Sequence, residues 1–166
     1  MSRATFKLAE PGGPESQFGG VPPELPRQQL WFSLQRFDWS SLVLLPADPD
    51  TSAFELGRAL HDVGRLTMGD RLRLLDGRGL KVSATAPMIL DMSGAAAPVR
   101  PAGVEWSEKV LVVVDSVVSH PSSIPIALAA DGVVLCLTLG KTPLAAARET
   151  MKLVGPQRFI GCITVP

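Results

Sequence analysis

The stretch KVLVVVDSVVSHPSSIPIALAADGVVLCLTLG, residues 109–140, decides the fold. It contains two runs dense in Val and Leu. The first, 110–114, is followed by Asp115, and the second, 133–139, is followed by Gly140. Each run is apolar on both faces, as expected of a strand covered by helices on both sides of a parallel sheet. Asp115 then either ends a strand and caps a turn, or lies where open α/β sheets bind their ligands.

Composition limits the classes of protein that this chain can belong to. The chain has 166 residues, of which 46% are hydrophobic and 19% charged, and its formal net charge is zero. This favours one domain with a large core and no nucleic-acid partner. No secretory signal and no apolar run long enough to span a bilayer are visible, so we expect a cytoplasmic protein without direct membrane insertion. The two cysteines, Cys136 and Cys162, are expected to be buried thiols in core strands.

The apolar periodicities predict alternating helices and strands after a flexible, Gly- and Pro-rich tail over residues 1–23. Residues 24–166 are expected to form a single domain. Gly64 is a plausible helix stop, and Ser52 and Glu55 have the spacing of a capping box. The expected strands are 41–45, 71–75, 88–90, 109–114, 133–139 and 159–165, and the expected helices are 24–37, 52–63, a short one that ends at 130, and 144–154.

Several of these segments resemble those of a known family. The 110–114 strand with Asp115-Ser116, Pro121 and the segment 124–130 looks like the "VIIDTPP…DAL" region of MinD/ParA-type P-loop ATPases. The strongest likeness is to the cytoplasmic tyrosine-kinase domains of capsule and exopolysaccharide export, which carry "ADGVLLVV…GKT" and "ILGVVLN". The matching segments here are ADGVV (130–134), GKT (140–142) and FIGCI (159–163). The resemblance covers roughly residues 24–165 and implies a P-loop NTPase-like fold: three layers, with a mostly parallel sheet flanked by helices.

The turn that should bind phosphate departs from the family pattern. A phosphate-binding loop needs glycines, so that backbone N–H groups can surround the phosphates, and a lysine that reaches the terminal phosphates. The corresponding turn, residues 47–52, has neither, and Pro49 lacks an N–H donor. Asp48 and Asp50 place negative charge where a triphosphate would bind. Thr51 or Ser52 could still mimic the hydroxyl that contacts Mg²⁺.

Other family positions are retained or lost. By resemblance, Asp76 and Asp115 match two acidic residues of the family, and Asp115 is expected to order the loop 116–123. Val165 stands where the family usually has an adenine-contacting Asn. The chain contains no tyrosine, which excludes self-phosphorylation on tyrosine. We therefore expect no catalytic residues, no cofactor and no metal, and only vestigial nucleotide-site positions: Thr51, Ser52, Asp76 and Asp115.

The resemblance leaves three functional hypotheses. The first is a non-catalytic accessory protein of exopolysaccharide or capsule biosynthesis and export, which acts by protein–protein interaction. Its implied partners are a membrane-embedded chain-length or export protein, which would recruit it to the inner membrane, an active kinase homologue, or further copies of itself. The second is an active ATP-binding regulator or kinase in which Lys141, Arg58 or Arg65 replaces the missing lysine. The third is a MinD/ParA-like regulator of another process, such as cell division.

Two site classes have weaker sequence support. Asp115, His120 and the neighbouring serines could be drawn as a Ser-His-Asp set, but no G-x-S-x-G elbow is present and a Ser-rich loop is typical of turns. The acidic and histidine residues near the 47–52 turn match no standard metal-loop spacing. These residues are Asp48, Asp50, His61 and Asp62.

Overall fold

The chain folds as alternating strands and helices over the residues that the structure describes, which are 4–6, 25–93 and 108–165 of a computed structural model. The elements are, in chain order, β1 (Ala4–Phe6), α1 (Leu25–Leu34), β2 (Ser41–Pro46), α2 (Phe54–Met68), β3 (Leu72–Gly77), α3 (Thr85–Met92), β4 (Lys109–Val114), α4 (Ser123–Ala129), β5 (Gly132–Thr138), α5 (Leu144–Val154) and β6 (Phe159–Val165). No helix among these residues is long and apolar enough to cross a bilayer.

All neighbouring strands in the sheet run parallel, in the order β1-β6-β5-β2-β4-β3. β2 lies at the centre, paired with β4 on one side and β5 on the other. Since β4 lies between β2 and β3, the β2-α2-β3 segment crosses over one strand. The parallel arrangement places the carboxyl ends of all strands at one edge of the sheet, which we call the carboxyl edge.

Helices cover both faces of the sheet, so the domain has three layers. On one face, α1 and α2 pack on alternate residues of the strands, among them Leu42 and Leu44 of β2. On the other face, α3, α4 and α5 pack on the intervening residues, among them Val43 and Leu45. Strands buried on both faces must be apolar at nearly every position, as β2, β4 and β5 are. The predicted α/β class with a parallel sheet between helices is confirmed.

Most predicted elements are present, and α5 and β6 have the predicted bounds. The predicted strand at 88–90 is wrong, because these residues lie in α3. A short apolar run cannot by itself distinguish a strand from a buried helix. Both cysteines are free thiols, as expected. Cys136 is fully buried and Cys162 is partly buried.

The end of α2 also differs from the prediction. Gly64 does not stop this helix, which continues to Met68, and Gly69 follows it with φ of +59°. A Cβ at position 64 would come within 2.7 Å of the Trp31 ring and would also collide with Leu72. Gly64 is therefore a site of close packing between α1 and α2, and the fully buried Trp31 is a core residue.

The structure places a short strand within the segment that was predicted to be a flexible tail. Ala4–Phe6 pairs in parallel with residues 161–163 of β6 and forms one edge of the sheet. The polar, Gly- and Pro-rich surroundings gave no sign of this strand. The remainder of the predicted tail lies outside the described residues.

A carboxylate ties two strands together at the opposite, amino edge of the sheet. Asp131, just before β5, accepts hydrogen bonds from the backbone N–H groups of Ser40 and Ser41, both at 2.8 Å. Burial raises the pKa of Asp131, but these bonds and the nearby Lys109 ammonium outweigh burial and lower it. The Lys109 ammonium also donates to the Trp39 carbonyl at 2.7 Å. This cluster fixes the start of β2 against β4 and β5.

Candidate functional site

Four loops meet at the carboxyl edge of the sheet, because each of them follows the end of one of the adjacent strands β5, β2, β4 and β3. They are residues 139–143 after β5, 47–53 after β2, 115–122 after β4 and 78–84 after β3. The sequence-predicted positions Thr51, Ser52, Asp76 and Asp115 all lie in these loops or at the strand end that precedes them. This edge is therefore the candidate site, with the 47–53 loop near its centre.

The carboxylate of Asp48 binds the donors of its own loop. The backbone N–H groups of Asp50 and Thr51 donate to Asp48 Oδ1 at 3.0 and 3.1 Å, and the Thr51 hydroxyl donates to Oδ2 at 2.9 Å. Asp48 is only 6% exposed. A phosphate-binding loop offers such N–H groups to a ligand. Here a side chain of the protein takes two of them.

Threonines from neighbouring elements hold this loop against the sheet. The Thr51 hydroxyl lies 3.0 Å from that of Thr138 and 3.2 Å from that of Thr142. Thr142 Oγ1 in turn accepts the N–H of Thr138 at 2.8 Å. From α5, the fully buried Thr150 hydroxyl donates to the Ala47 carbonyl at 3.0 Å. The loop is thus bonded to β5 and α5 through the protein's own hydroxyl groups.

These contacts stabilise the ionised form of Asp48. Burial alone would raise the pKa of its carboxyl group, but hydrogen bonds from the hydroxyls of Thr142 and Thr51 and from two backbone N–H groups lower it overall. The charge that was expected to repel a triphosphate is therefore retained and stabilised by bonds within the loop. The carboxylate keeps its negative charge at neutral pH, and it becomes protonated only at a lower pH than a free aspartate does.

Ser52 does not form the predicted capping box. α2 begins at Phe54 with Ala53 at its N-cap position, and no side chain caps the helix. The Ser52 hydroxyl accepts a long bond, 3.4 Å, from the N–H of Phe54, and the side chain is exposed. Glu55 instead lies 3.9 Å from Arg58 on the surface of α2. The capping-box spacing begins one residue before the actual N-cap position.

Asp76, at the end of β3, is bound to an arginine two residues later. Both guanidinium nitrogens that face it donate: Arg78 Nε to Oδ1 at 2.8 Å and Nη2 to Oδ2 at 2.7 Å. The hydrogen bonds from Arg78 lower the pKa of Asp76 although burial opposes the shift, and the same bonds raise the pKa of Arg78. The guanidinium lies 3.6 Å above the ring of Phe54, in cation–π contact. Arg78 was not among the predicted site residues.

Asp115 bonds to a different loop from the one predicted. Its carboxylate accepts the N–H of Gly79, after β3, rather than ordering the loop 116–123. That loop is fixed by its own backbone, with the N–H groups of Ser119 and His120 donating to the Ser116 carbonyl at 3.1 and 2.8 Å. Asp115 therefore connects the loops after β3 and β4, which keeps these two loops close together at the carboxyl edge.

The weaker site classes are not assembled. The His120 ring contacts the hydroxyl of its neighbour Ser119, with 3.0 Å between Nδ1 and Oγ, while the Asp115 carboxylate bonds to Gly79. Over residues 4–6, 25–93 and 108–165, no three His, Cys, Asp or Glu side chains converge as metal ligands would. His61 lies within α2, beside Asp62 and away from the 47–53 loop.

The three cations that could replace a phosphate-binding lysine are not brought together. Arg58 pairs with Glu55 on α2. Arg65 pairs with Asp70 near the carboxyl end of α2, which lies far from the carboxyl edge of the sheet. Lys141 does lie at the carboxyl edge, in the loop after β5, with an exposed side chain. Of the three, Lys141 is the one that lies in a loop of this edge.

The carboxyl edge also exposes large apolar side chains. Val82 is 80% exposed, Val118 45%, Leu139 54% and Leu144 65%. We call these four residues the apolar row. They lie beside the amino ends of α3, α4 and α5, and α4 packs against both α3 and α5. The row therefore extends across three adjacent helices. Where exposed apolar groups form a contiguous patch, they are typical of protein interaction sites.

Comparisons with known proteins support the fold. No protein-family model matches the chain, and no curated protein matches it. Solved structures do match. One is the crystal structure of the chimerical protein CapA2B2, with TM-score 0.61 and 10% identity, over 89% of this chain and 86% of that chain. Another is the BceF tyrosine kinase domain, with TM-score 0.53 and 16% identity, over 86% of this chain and 74% of that chain. The fold of this chain is thus shared with a tyrosine kinase domain.

Proposed function

We propose that this chain is a non-catalytic accessory protein of bacterial exopolysaccharide or capsule biosynthesis and export, which acts in the cytoplasm by binding another protein. It keeps the fold of a P-loop tyrosine kinase domain and has lost nucleotide turnover. Its partner is a membrane-embedded polysaccharide chain-length or export protein, which brings it to the inner membrane, or an active kinase homologue.

The observation that carries the loss of turnover is the hydrogen bonding of Asp48. Two backbone N–H groups of the 47–53 loop, those of Asp50 and Thr51, already donate to this carboxylate. Pro49, between them, has no N–H to offer. A nucleotide phosphate would have to displace a buried carboxylate and approach its negative charge. The loop has no lysine that could compensate for either cost.

The pathway is supported by the fold and by the segments that resemble the family. The similarity to the BceF tyrosine kinase domain covers most of this chain. The resembling segments ADGVV (130–134) and GKT (140–142) lie at β5 and in the loop after it, next to the 47–53 loop. The apolar row at the same edge supports a role in protein binding. The absence of tyrosine from the chain fits a protein that does not phosphorylate itself on tyrosine.

The direct test is calorimetric titration of the purified protein with ATP and with ADP, each with Mg²⁺, together with thermal unfolding under the same conditions. We expect no heat of binding and no rise in melting temperature, because a ligand stabilises a protein only by binding its native state. Micromolar binding would overturn the proposal. Titrations of Asp115→Ala and Lys141→Ala would then show whether these residues hold the nucleotide, and a turnover assay would follow.

The pathway has a separate test in the gene neighbourhood. Genes for glycosyltransferases and polymer exporters next to this one support the proposed pathway. Division or flagellar genes would instead favour a MinD/ParA-like regulator of another process. The candidate partners encoded there can be co-purified with the protein, and loss of co-purification in a Leu139→Ser, Leu144→Ser variant would locate their binding at the carboxyl edge.

A further inference from the structure

The charges around the apolar row are arranged asymmetrically. Lys81 is next to Val82 in sequence, Lys141 lies between Leu139 and Leu144, and Arg148 lies one helical turn after Leu144, on the same face of α5. All three basic side chains are exposed. None of them forms an ion pair with another of the described residues.

Three of the described acidic side chains at the same edge are bound internally. Asp48 bonds to its own loop, Asp76 to Arg78 and Asp115 to the N–H of Gly79. The exposed Glu55 carboxylate is in the first turn of α2, on the opposite face of the sheet from α3, α4 and α5. The exposed Asp50 lies in the loop that contacts Thr142, and the exposed Glu149 follows Arg148 on α5, 4.0 Å from Lys152. The surface around the apolar row therefore combines exposed apolar groups with unpaired positive charge.

We propose that the apolar row, with Lys81, Lys141 and Arg148, is the docking surface for an acidic segment of a partner protein that also carries apolar side chains. The proposal rests on the proposed protein-binding function and specifies the chemistry of the partner. Charge complementarity selects the acidic segment, and the exposed Val and Leu side chains select its apolar residues.

The size of the surface fits a short peptide. Adjacent packed helices lie roughly 8–10 Å apart, so a row across three of them extends over roughly 16–20 Å. An extended chain of about six residues has this length. A membrane surface is the less suitable occupant, because electrostatic anchoring to anionic lipid takes clusters of about four to eight basic residues. Only three are present here, and the chain has no net charge.

The test uses the full-length protein and a fluorescent synthetic peptide of about eight residues that contains Glu, Leu and Phe. A matched peptide has Lys in place of every Glu. We expect the acidic peptide to bind and its affinity to fall as salt is raised, whereas the basic peptide should bind at least about tenfold more weakly. Equal binding of both peptides, or of neither, would overturn the proposal.

Two double variants locate the site. Lys81→Glu with Lys141→Glu reverses two charges, and Leu139→Ser with Leu144→Ser removes two apolar contacts. Each should weaken peptide binding about tenfold or more. The matched controls are Lys152→Glu, near the end of α5, and Leu66→Ser, near the end of α2, both far from the carboxyl edge and both exposed. The controls should bind as the wild type does.

Three results would contradict the docking surface. The first is unchanged binding in both double variants, and the second is an equal loss in the controls. The third is binding to vesicles of phosphatidylcholine with phosphatidylglycerol, but not to the acidic peptide, which would assign the surface to a membrane. None of these results depends on nucleotide. Conversely, binding of Mg-ATP in the calorimetric test would overturn the non-catalytic function, but it would not affect the conclusion drawn from peptide binding.

Discussion

Replacing Asp48, a buried residue of the 47–53 loop, by alanine should destabilise the protein. The substitution removes the acceptor of three hydrogen bonds, from the Asp50 N–H, the Thr51 N–H and the Thr51 hydroxyl, at a residue that is 6% exposed. A hydrogen bond to a charged group contributes about 1.5–3 kcal/mol. Bonds to one carboxylate do not add fully, and water can reach part of the loop, so we expect a loss of about 2–4 kcal/mol.

The assay is equilibrium unfolding in urea, followed by circular dichroism, with Asp50→Ala as the matched control. Asp50 carries the same charge two residues away, and its side chain is exposed. In the Asp50→Ala variant the backbone N–H of residue 50 can still donate to the Asp48 carboxylate. The control should therefore lie within about 0.5 kcal/mol of the wild type. If the two variants are equally stable, the hydrogen bonds to Asp48 do not stabilise the 47–53 loop.

The pH dependence gives the same comparison a second readout. The pKa of Asp48 is lowered from its ordinary value of 3.8 in the folded state, so its ionised form favours folding. That contribution is fully present above the unfolded pKa and is lost as the pH falls through the lower, folded pKa. The stability difference between wild type and Asp48→Ala should be constant at neutral pH and should shrink below about pH 4. A difference that grows with acid would contradict this assignment.

The remaining predictions concern packing and buried bonds, and all are measured by urea unfolding. Thr150→Val keeps the side-chain shape but removes the bond to the Ala47 carbonyl, and should cost about 1–2 kcal/mol. Gly64→Ala forces a Cβ against the Trp31 ring and should cost about 1–3 kcal/mol, so an unchanged stability would mean that α1 moves freely. Asp131→Ala leaves two backbone N–H groups at the amino edge without their acceptor, and should cost about 1–3 kcal/mol.

The fold was predictable because its strongest signals are local. Two apolar runs, 110–114 and 133–139, are short and rich in valine, which favours strands buried on both faces, and parallel strands of this kind need helices around them. The exceptions depend on partners that are distant in sequence. Glycine often ends a helix, which is why position 64 was predicted as a stop. In the structure Gly64 lies inside α2, where the Trp31 ring leaves no room for a Cβ atom. Ala4–Phe6 is a strand only because the edge of β6 is available to it.

The candidate site was predictable in its place but not in its bonding. The sequence located the 47–52 turn and identified Asp48 as a negative charge. It could not show that this charge is bound by its own loop, because the turn geometry decides which N–H groups face the carboxylate. Thr138 and Thr150 depend on the order of strands and helices in space, and nothing in their local sequence marks them. Arg78 was detectable only as a cation two residues from Asp76.

If the 47–53 loop binds no nucleotide, as we propose, more than one change would be needed to make it a phosphate-binding loop. Supplying a lysine in the 47–53 loop would leave Asp48 bound to the N–H groups that a phosphate requires, and Pro49 would still lack a donor. Removing Asp48 alone would free those groups but destabilise the loop. Asp76 would remain paired with Arg78 in either case. Under the proposed function, therefore, none of these single substitutions would free the N–H groups of the loop without also removing the bonds that hold it.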